Sequence, residues 1–368
     1  MKSRHQTFLI KPASSKCNLN CNYCFYHAIA KLRNNKSSCI MTKDVVDKLL
    51  KMIFDDYAIA SVSFMFQGGE PLLAGYDFFQ YFVEKTKLLN HRKIAIAYSL
   101  QTNGTLLDNK ILQLLKDNNF LVGISIDGPK HIHNMCRDNS FDSAIKGLEQ
   151  LKFWEIPFNI LSVVTKQSSK YANEIYAFFK SKGVEFIQFI PFLAINDQQS
   201  IHQPSPLQFG NFLNTLFIDW FRDIMSGKMI SISSFEDIIK NMLQVGGATC
   251  GMNGNCSLNL VIESEGDIYP CDFYTKDKDC LSNLKNITNL ADLLSLKSTH
   301  NFLQSDFIHY NCKVCPYIKI CKGGCKAYKD NNGLYYYCES YKALFKKQAL
   351  NLNTLASLFH RKMRVKNL

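Results

Sequence analysis

The sequence predicts an α/β protein in which a partial (β/α)6 barrel is followed by a smaller, cysteine-rich module. Between Thr7 and Leu193, six short apolar runs alternate with amphipathic helical patterns. Such alternation favours parallel strands joined by right-handed helical crossovers. A complete eight-fold barrel usually needs about 250 residues, so six units in this length predict an open barrel. From Cys250 onward, glycine, asparagine and cysteine dominate, which predicts a module organised by bound ligands.

The apolar runs and helical patterns define the predicted elements. Strands are predicted at 8–12, 61–67, 93–101, 120–127, 158–165 and 185–193. Helices are predicted at 41–54, 76–89, 108–118, 143–153 and 170–183, several with a capping residue such as Thr42 or Asp108 at the start. We expect the barrel to span 1–204, bridging helices 205–249, the cysteine-rich domain 250–342 and a terminal helix 343–368.

Composition favours a cytoplasmic protein whose cysteines bind metal. No apolar run approaches the ~20 residues of a membrane span, and the first residues lack the apolar segment of a secretion signal. Because thiols stay reduced in the cytosol, the 14 cysteines predict metal or cluster ligation rather than disulfides. The formal charge of +12 is spread along the chain without a nucleic-acid motif. Neither a membrane nor a nucleic acid is therefore expected as a partner.

Three cysteines follow the first predicted strand in the run CNLNCNYCFYH, namely Cys17, Cys21 and Cys24. Soft thiolates suit zinc or an iron–sulfur cluster. A zinc site would need a fourth ligand, for which His27 is available. A [4Fe–4S] cluster held by three thiolates keeps one iron open, which is the position that cofactor chemistry needs. The spacing favours the cluster, because zinc sites more often show paired CxxC units.

The CxxxCxxC spacing after a first strand resembles that of the radical S-adenosylmethionine (SAM) enzymes, in which the cofactor's amino and carboxylate groups chelate the open iron. The run QGGEP at 67–71, after the second predicted strand, resembles the motif that meets the amino group of SAM. In that motif Gly68 and Gly69 let the backbone come close, and Glu70 carries the charge. The resemblance implies this set of SAM contacts: Tyr23, Gln67, Gly68, Gly69, Glu70, Ser125, Arg137 and Leu193.

Within that set, the resemblance assigns Ser125 and Arg137 to the carboxylate of SAM. A guanidinium matches a carboxylate in both shape and charge. The residues by themselves also allow a polar strand end at Ser125 and a surface ion pair at Arg137.

A second group of cysteines fills the C-terminal third of the chain. Its spacing includes CGMNGNC at 250–256, Gx4C from Gly266 to Cys271, and CxxCx5Cx3C from Cys312 to Cys325. Eight thiolates are enough to close two [4Fe–4S] clusters, and two structural zinc ions are the alternative. The ligands are predicted to be Cys250, Cys256, Cys271, Cys312, Cys315, Cys321, Cys325 and Cys338. Cys39, Cys136 and Cys280 have no predicted role.

This module resembles the SPASM extension, which carries auxiliary clusters in some radical SAM enzymes. Over nearly its whole length the chain resembles the anaerobic sulfatase-maturating enzymes, through the runs LIKPASS, CDFY and CKGGC. The resemblance implies a crossed connectivity between two auxiliary clusters. One would be held by Cys250, Cys256, Cys271 and Cys325, and the other by Cys312, Cys315, Cys321 and Cys338.

Asp272 directly follows the predicted ligand Cys271, and the resemblance gives it the role of catalytic proton acceptor. A carboxylate beside a cluster is placed to take a proton while the cluster takes an electron. From the residues alone, an aspartate that caps a turn is the alternative.

The implied function is the oxidation of a cysteine or serine to Cα-formylglycine, under anaerobic conditions, in a sulfatase segment of the type Cys/Ser-x-Pro-x-Arg. The implied cofactors are SAM and three [4Fe–4S] clusters, with a low-potential electron donor such as flavodoxin or ferredoxin. An alternative is a SPASM-type enzyme that forms thioether or carbon–carbon crosslinks. Such enzymes often carry an N-terminal recognition domain, and none is expected so close before Cys17. A non-enzymatic zinc or electron-carrier protein is the remote alternative.

Overall fold

Strands and helices alternate in the first half of the chain, as the apolar pattern predicts. The computed structural model describes residues 4–33, 39–246, 250–304 and 309–366, and only the backbone of 362–366. The strands are β1 (Arg4–Ile10), β2 (Ile59–Phe66), β3 (Ala95–Thr102), β4 (Leu121–Ser125), β5 (Phe158–Val164), β6 (Phe186–Pro191), β7 (Ser231–Ile232), β8 (Asn259–Ile262), β9 (Asp267–Tyr269) and β10 (Ser282–Asn283). Each of the six predicted strands overlaps one of β1 to β6.

The helices follow the amphipathic patterns closely. They are α1 (Phe25–Leu32), α2 (Lys43–Asp55), α3 (Tyr76–Leu89), α4 (Asn109–Asp117), α5 (Lys130–Asn134), α6 (Phe141–Phe153), α7 (Ala172–Ser181), α8 (Pro206–Met225), α9 (Ser233–Met242), α10 (Leu290–Ser295), α11 (Lys297–Leu303), α12 (Tyr310–Lys313), α13 (Ile318–Cys321), α14 (Cys338–Lys347) and α15 (Ala349–Lys366). Asp108 caps α4 as predicted, because its carboxylate accepts from the Ile111 N–H. Thr42 precedes α2 without a side-chain cap hydrogen bond.

The chain divides into two compact units. The first contains Met1–Ile126, His133–Asn159 and Leu258–Leu303, and the second contains Asp127–Ile132, Ile160–Ser257 and Gln304–Leu368. In the first unit the strand order is β10-β9-β8-β1-β2-β3-β4, parallel from β8 to β4 and antiparallel at β9 and β10. In the second unit β5, β6 and β7 pair in parallel.

The pairing of β8 with β1 places the end of a late strand beside the end of the first one. The register joins Ile10 to Ile262, so Lys11 and Glu263 follow at the same edge of the sheet. The carboxyl ends of parallel strands are the usual position of ligand sites in α/β proteins. Residues 252 positions apart in sequence therefore meet where the predicted site lies.

β2 shows how the sheet presents a polar face at this edge. Val62, Phe64 and Phe66 are buried, and the rings of Phe64 and Phe66 lie 5.0 Å from that of Phe82 in α3. Side chains alternate along a strand, so the opposite face carries Ser61, Ser63 and Met65. That face continues to Gln67, directly after the strand.

The predicted domain boundaries at 204, 249 and 342 stay a prediction. α8 and α9 lie within 205–249, and residues 343–368 contain the end of α14 and α15. In the part of the chain that the structure describes, no helix is long and apolar enough to cross a membrane.

Candidate active site

The first cysteine trio lies in the loop between β1 and α1, with all three thiols partly buried. Cys24 caps α1, because its Sγ accepts a hydrogen bond from the His27 N–H at 3.5 Å. The Sγ of Cys17 accepts from the Leu19 N–H at 3.4 Å. Burial raises the pKa of the Cys17 and Cys24 thiols. A bound metal would oppose that effect, since ligation stabilises the thiolate.

The QGGEP loop lies directly against the backbone that leads to these cysteines. The Gly69 N–H donates to the Ser14 carbonyl and the Glu70 N–H to the Lys16 carbonyl, each at 2.8 Å. A Cβ on Gly69 would lie 2.1 Å from the Lys16 carbonyl oxygen, so only glycine fits this approach. Gly68 has a φ of +122°, which disfavours any side chain. The two glycines are therefore needed to seat one loop on the other.

Glu70 connects the loop after β2 to the loop after β3. Its carboxylate is fully buried and accepts from the Leu72 N–H at 3.1 Å, Thr102 Oγ1 at 2.8 Å and the Asn103 N–H at 2.8 Å. Burial raises the pKa of Glu70 to about 7, although the three donors oppose it. Asn103 also approaches the cysteine loop, with its Nδ2 3.8 Å from Cys17 Sγ. The predicted contact between Glu70 and SAM stays a prediction.

Two predicted SAM contacts come together beside the cysteine loop. The Arg137 guanidinium lies 5.4 Å from the centre of the Tyr23 ring, and both side chains are buried. The Asn22 N–H donates to the Cys136 carbonyl at 3.0 Å, which ties the cysteine loop to the segment carrying Arg137. Arg137 is thus a buried cation above an aromatic ring.

The remaining predicted SAM contacts lie at strand ends. Ser125 ends β4, and its Oγ accepts from Gln101 Nε2 at 2.8 Å. Leu193 lies in the second unit, two residues after β6, and is partly buried.

Asp272 is held from three sides. Its Oδ2 accepts from Tyr26 Oη at 2.7 Å and from Gln67 Nε2 at 2.8 Å. Its Oδ1 lies 3.0 Å from Lys11 Nζ, and 21% of its side chain stays exposed. Gln67 also donates to Tyr26 Oη at 3.0 Å. Two hydrogen-bond donors and the charge of Lys11 fix the orientation of the carboxylate while leaving part of it accessible, which a turn cap would not require.

Lys11 is a buried cation shared by two carboxylates. Its Nζ lies 3.1 Å from Glu263 Oε1 in addition to its contact with Asp272, and its side chain is 2% exposed. Burial lowers the pKa of Lys11, but the charges of Asp272 and Glu263 outweigh burial and raise the pKa above its ordinary value. The ammonium group therefore stays charged beside the proposed proton acceptor.

Glu263 completes this buried network. Its Oε1 lies 2.8 Å from Arg33 Nη2, and its Oε2 accepts from Ser14 Oγ at 2.7 Å. Burial would raise the pKa of Glu263, but the Lys11 and Arg33 charges lower it to about 2. Arg33 follows α1 and also donates from Nε to the Thr275 carbonyl at 2.5 Å. The end of α1, the helix that follows the three cysteines, is thereby joined to the loop that carries Asp272.

The sequence pattern did not reveal the network of Lys11, Tyr26, Arg33 and Glu263. Lys11 and Glu263 are 252 positions apart, so no local spacing connects them. The position of Lys11 and Glu263 directly after two strands was the available signal, because strand ends of a parallel sheet converge.

The remaining metal-binding predictions concern the second cysteine group, whose members lie in two arrangements. Cys312, Cys315, Cys321 and Cys338 line one cavity. Cys250, Cys256 and Cys325 line another, which Cys312 also borders. Burial, together with the neighbouring thiolates, raises the pKa of both Cys321 and Cys325 to about 11. Cys271 lies in the first unit, where its backbone forms an isolated antiparallel β-bridge with Tyr274.

No group of three or more His, Cys, Asp or Glu side chains among the described residues could hold a single metal ion. The ligation predicted for the eleven cysteines therefore stays a prediction. The donor set nevertheless suits an iron–sulfur cluster, since cysteine thiolates are its usual ligands.

Comparisons with known proteins relate this geometry to a family. The model of the radical SAM superfamily matches residues 12–178. A cysteine-type anaerobic sulfatase-maturating enzyme from Clostridium perfringens is 41% identical, covering 92% of this chain and 95% of that protein. A serine-type anaerobic sulfatase-maturating enzyme from Bacteroides thetaiotaomicron is 29% identical, covering 92% and 88%. A solved structure, native anSMEcpe with bound AdoMet and Kp18Cys peptide, matches with a TM-score of 0.89 and 38% identity, covering 96% of this chain and 99% of that one.

The chain belongs to the radical SAM enzymes, in the family of the anaerobic sulfatase-maturating enzymes. The predicted α/β fold of radical SAM type, with its cysteine-rich C-terminal extension, is confirmed. Membership of this superfamily means that SAM and a [4Fe–4S] cluster are its cofactors. The residues present fit these cofactors. Three thiols in one loop suit the cluster, and the close-packed glycines of the QGGEP loop and the buried Arg137 suit SAM.

Proposed function

We propose that this enzyme oxidises a cysteine in a sulfatase segment to Cα-formylglycine under anaerobic conditions. The observation that carries the proposal is the placement of Asp272, which three side chains orient beside the predicted ligand Cys271. A proton acceptor fixed next to an electron acceptor suits a two-electron oxidation of a thiol. The similarity to cysteine-type enzymes, at 41% identity against 29% for a serine-type enzyme, supports cysteine as the substrate.

In this proposal Cys17, Cys21 and Cys24 hold the cluster that binds SAM. When bound, SAM and its cluster supply a 5′-deoxyadenosyl radical that takes a hydrogen atom from the substrate β-carbon. Ser125 and Arg137 hold the carboxylate of SAM, and Tyr23 packs beneath Arg137. The QGGEP loop, at Gln67, Gly68, Gly69 and Glu70, receives its amino group, and Leu193 lines the site.

Two auxiliary [4Fe–4S] clusters bring the proposed number to three. The cavity bordered by Cys312, Cys315, Cys321 and Cys338 supports the predicted set made of those four cysteines. The cavity bordered by Cys250, Cys256 and Cys325 supports the other predicted set, to which Cys271 would add the fourth thiolate.

Asp272 takes the thiol proton of the substrate. Tyr26 and Gln67 hold Oδ2, and Lys11 holds Oδ1, so the carboxylate keeps one orientation as the substrate arrives. General-base catalysis by a positioned group typically contributes about 10²–10⁴ in rate. The product is a thioaldehyde, and its hydrolysis gives formylglycine.

The partners follow from this chemistry. We propose that the substrate is a flexible Cys-x-Pro-x-Arg segment of a sulfatase, because the reacting β-carbon must reach a site at the sheet edge. A low-potential carrier such as flavodoxin or ferredoxin would supply the initial electron, and the cytosol would supply the reducing conditions.

The test is an anaerobic assay with reductant, SAM and matched peptides that differ only at the target residue. The Cys-x-Pro-x-Arg peptide is expected to form formylglycine at least about tenfold faster than the Ser-x-Pro-x-Arg peptide. Mass spectrometry of both peptides measures the product. If SAM is cleaved but neither peptide is converted, the proposed substrate is wrong and only the superfamily assignment stands.

Gly69→Ala tests the loop contact at the SAM site. The added Cβ would lie 2.1 Å from the Lys16 carbonyl oxygen, so the loops must separate, and SAM binding is expected to weaken at least about tenfold. The control Gly75→Ala has open space but a φ of +79°, so it should lose about 1 kcal/mol of stability and keep its SAM affinity. Equilibrium dialysis with labelled SAM measures the SAM affinity of both variants. Equal affinities in the two variants would contradict the assignment of the QGGEP loop to SAM.

A further inference from the structure

Asn103 lies in the loop after β3, at the point where that loop meets the first cysteine loop. It is 9% exposed. Its backbone N–H donates to Glu70 Oε2 at 2.8 Å, and its side-chain Nδ2 lies 3.8 Å from Cys17 Sγ, within hydrogen-bond reach of a sulfur acceptor. One buried residue therefore contacts both the loop predicted to meet SAM and the loop predicted to hold the cluster.

The orientation of the Asn103 amide is set by its hydrogen bonds. One of its two terminal atoms accepts from the Thr105 N–H at 2.9 Å and from Thr105 Oγ1 at 2.7 Å. An atom that meets two donors is the amide oxygen, so the NH2 group faces the other way. One of its two hydrogens is directed to Asn18 Oδ1 at 2.9 Å. The other is available to the sulfur of Cys17.

Three side chains close this arrangement into a ring. Asn18 Nδ2 donates to Thr105 Oγ1 at 2.8 Å, so the Thr105 hydroxyl accepts from Asn18 and donates to Asn103. Each member of the ring both donates and accepts, and such chains of hydrogen bonds strengthen one another. Turning the Asn103 amide over would place its NH2 group against the Thr105 N–H. The ring therefore holds the amide in the orientation that faces Cys17.

The backbone around Asn103 is fixed by close packing. Gly104 has a φ of +78°, and a Cβ on Gly147 in α6 would lie 2.2 Å from the Gly104 carbonyl oxygen. The loop after β3 therefore rests on α6 without room for a side chain. Because the Asn103 N–H is also bound to Glu70, the distance from its amide to Cys17 is set by the fold.

Hydrogen bonds to the sulfurs of an iron–sulfur cluster are among the factors that set its reduction potential. An N–H group directed at a ligand sulfur favours the reduced state, which carries one more negative charge. We propose that Asn103 is a positioning residue of the SAM-binding cluster, whose amide donates to the Cys17 thiolate and raises the reduction potential of the cluster. This inference rests on the proposed ligation by Cys17, Cys21 and Cys24.

The test is a redox titration of the reconstituted enzyme, followed by electron paramagnetic resonance. The signal that changes on addition of SAM reports the SAM-binding cluster. Asn103→Leu keeps the outline of the side chain and the backbone N–H to Glu70 but removes the amide donor. Thr105→Val keeps the donor and removes the hydroxyl that orients it. The control is Asn90→Leu, at the other end of β3, where the Asn90 amide binds the backbone of Ile94.

The signal is expected to titrate at a more negative potential in Asn103→Leu, so that its reduced fraction at a fixed dithionite concentration falls severalfold. Thr105→Val should shift the potential in the same direction by less. Asn90→Leu should be less stable than the parent but keep the parent potential. The SAM affinity of Asn103→Leu, measured by equilibrium dialysis, should stay that of the parent because the contact with Glu70 is kept.

The parent potential in Asn103→Leu, or an equal shift in Asn90→Leu, would overturn the inference. If Asn103→Leu assembles no cluster, Thr105→Val decides, and a parent potential there overturns the inference. Cys17→Ala separates this failure from that of the proposed ligation. If Cys17→Ala keeps the SAM-responsive signal, the ligation by Cys17 is wrong and the inference is overturned with it.

Discussion

Asp272→Asn is expected to retain SAM cleavage while forming formylglycine about 10²–10⁴-fold more slowly. Asparagine has the shape of aspartate, so Tyr26 and Lys11 keep a neighbour of similar size. It lacks the basic oxygen that takes the thiol proton. The loss of rate therefore falls on the step after hydrogen abstraction. Measuring the amounts of 5′-deoxyadenosine and formylglycine in the same reaction separates the two steps.

Asp292→Asn is the matched control, since Asp292 is an exposed aspartate at the start of α10. Its product yield per SAM should equal that of the parent. If Asp272→Asn also gives the parent yield, Asp272 is not the proton acceptor.

Lys11→Met is expected to lower the free energy of unfolding by about 3–5 kcal/mol, because it leaves the buried carboxylate of Glu263 and the partly buried one of Asp272 without their shared cation. Lys11 and Glu263 are 2% and 3% exposed, and their charged atoms lie 3.1 Å apart. Urea denaturation under anaerobic conditions measures the change. The control Lys85→Met removes a surface pair with Asp47 whose side chains are 27% and 40% exposed. That variant should lose less than about 1 kcal/mol, and equal losses in the two variants would contradict the buried network.

The acid dependence of stability gives a second test of the same pair. The pKa of Glu263 is lowered from 4.5 to about 2 in the folded state. Its contribution, about 3 kcal/mol from that shift, is therefore complete above pH 4.5 and is lost as the pH falls toward 2. In Lys11→Met the folded pKa should rise toward its ordinary value, so less stability should be lost over this interval. An unaltered acid profile would show that Lys11 does not hold Glu263 ionised.

The fold could be predicted from the sequence because the patterns that define its strands and helices are local. The alternation of the buried Val62, Phe64 and Phe66 with more exposed neighbours, and the helical spacing in 76–89, are set by the periods of strand and helix. Motifs such as QGGEP lie in the loops that those elements create. Their convergence follows from parallel pairing, which sends successive strand ends to one edge.

The residues that surround Asp272 could not be predicted in this way. Asp272 itself was found beside Cys271, but Lys11 and Glu263 meet only because β8 pairs with β1. The QGGEP motif predicts that Gln67 contacts SAM. The structure also places the Gln67 amide 2.8 Å from Asp272, which the motif does not predict. Contacts that arise from strand pairing across most of the chain leave no periodic trace in the sequence.

The most direct test of the radical oxidation uses a Cys-x-Pro-x-Arg peptide deuterated at the cysteine β-carbon. Under anaerobic turnover, mass spectrometry should find deuterium in 5′-deoxyadenosine, with one labelled molecule formed for each formylglycine. The same peptide with serine is the comparison. Formylglycine formed without transfer of deuterium to 5′-deoxyadenosine would contradict hydrogen abstraction from the β-carbon.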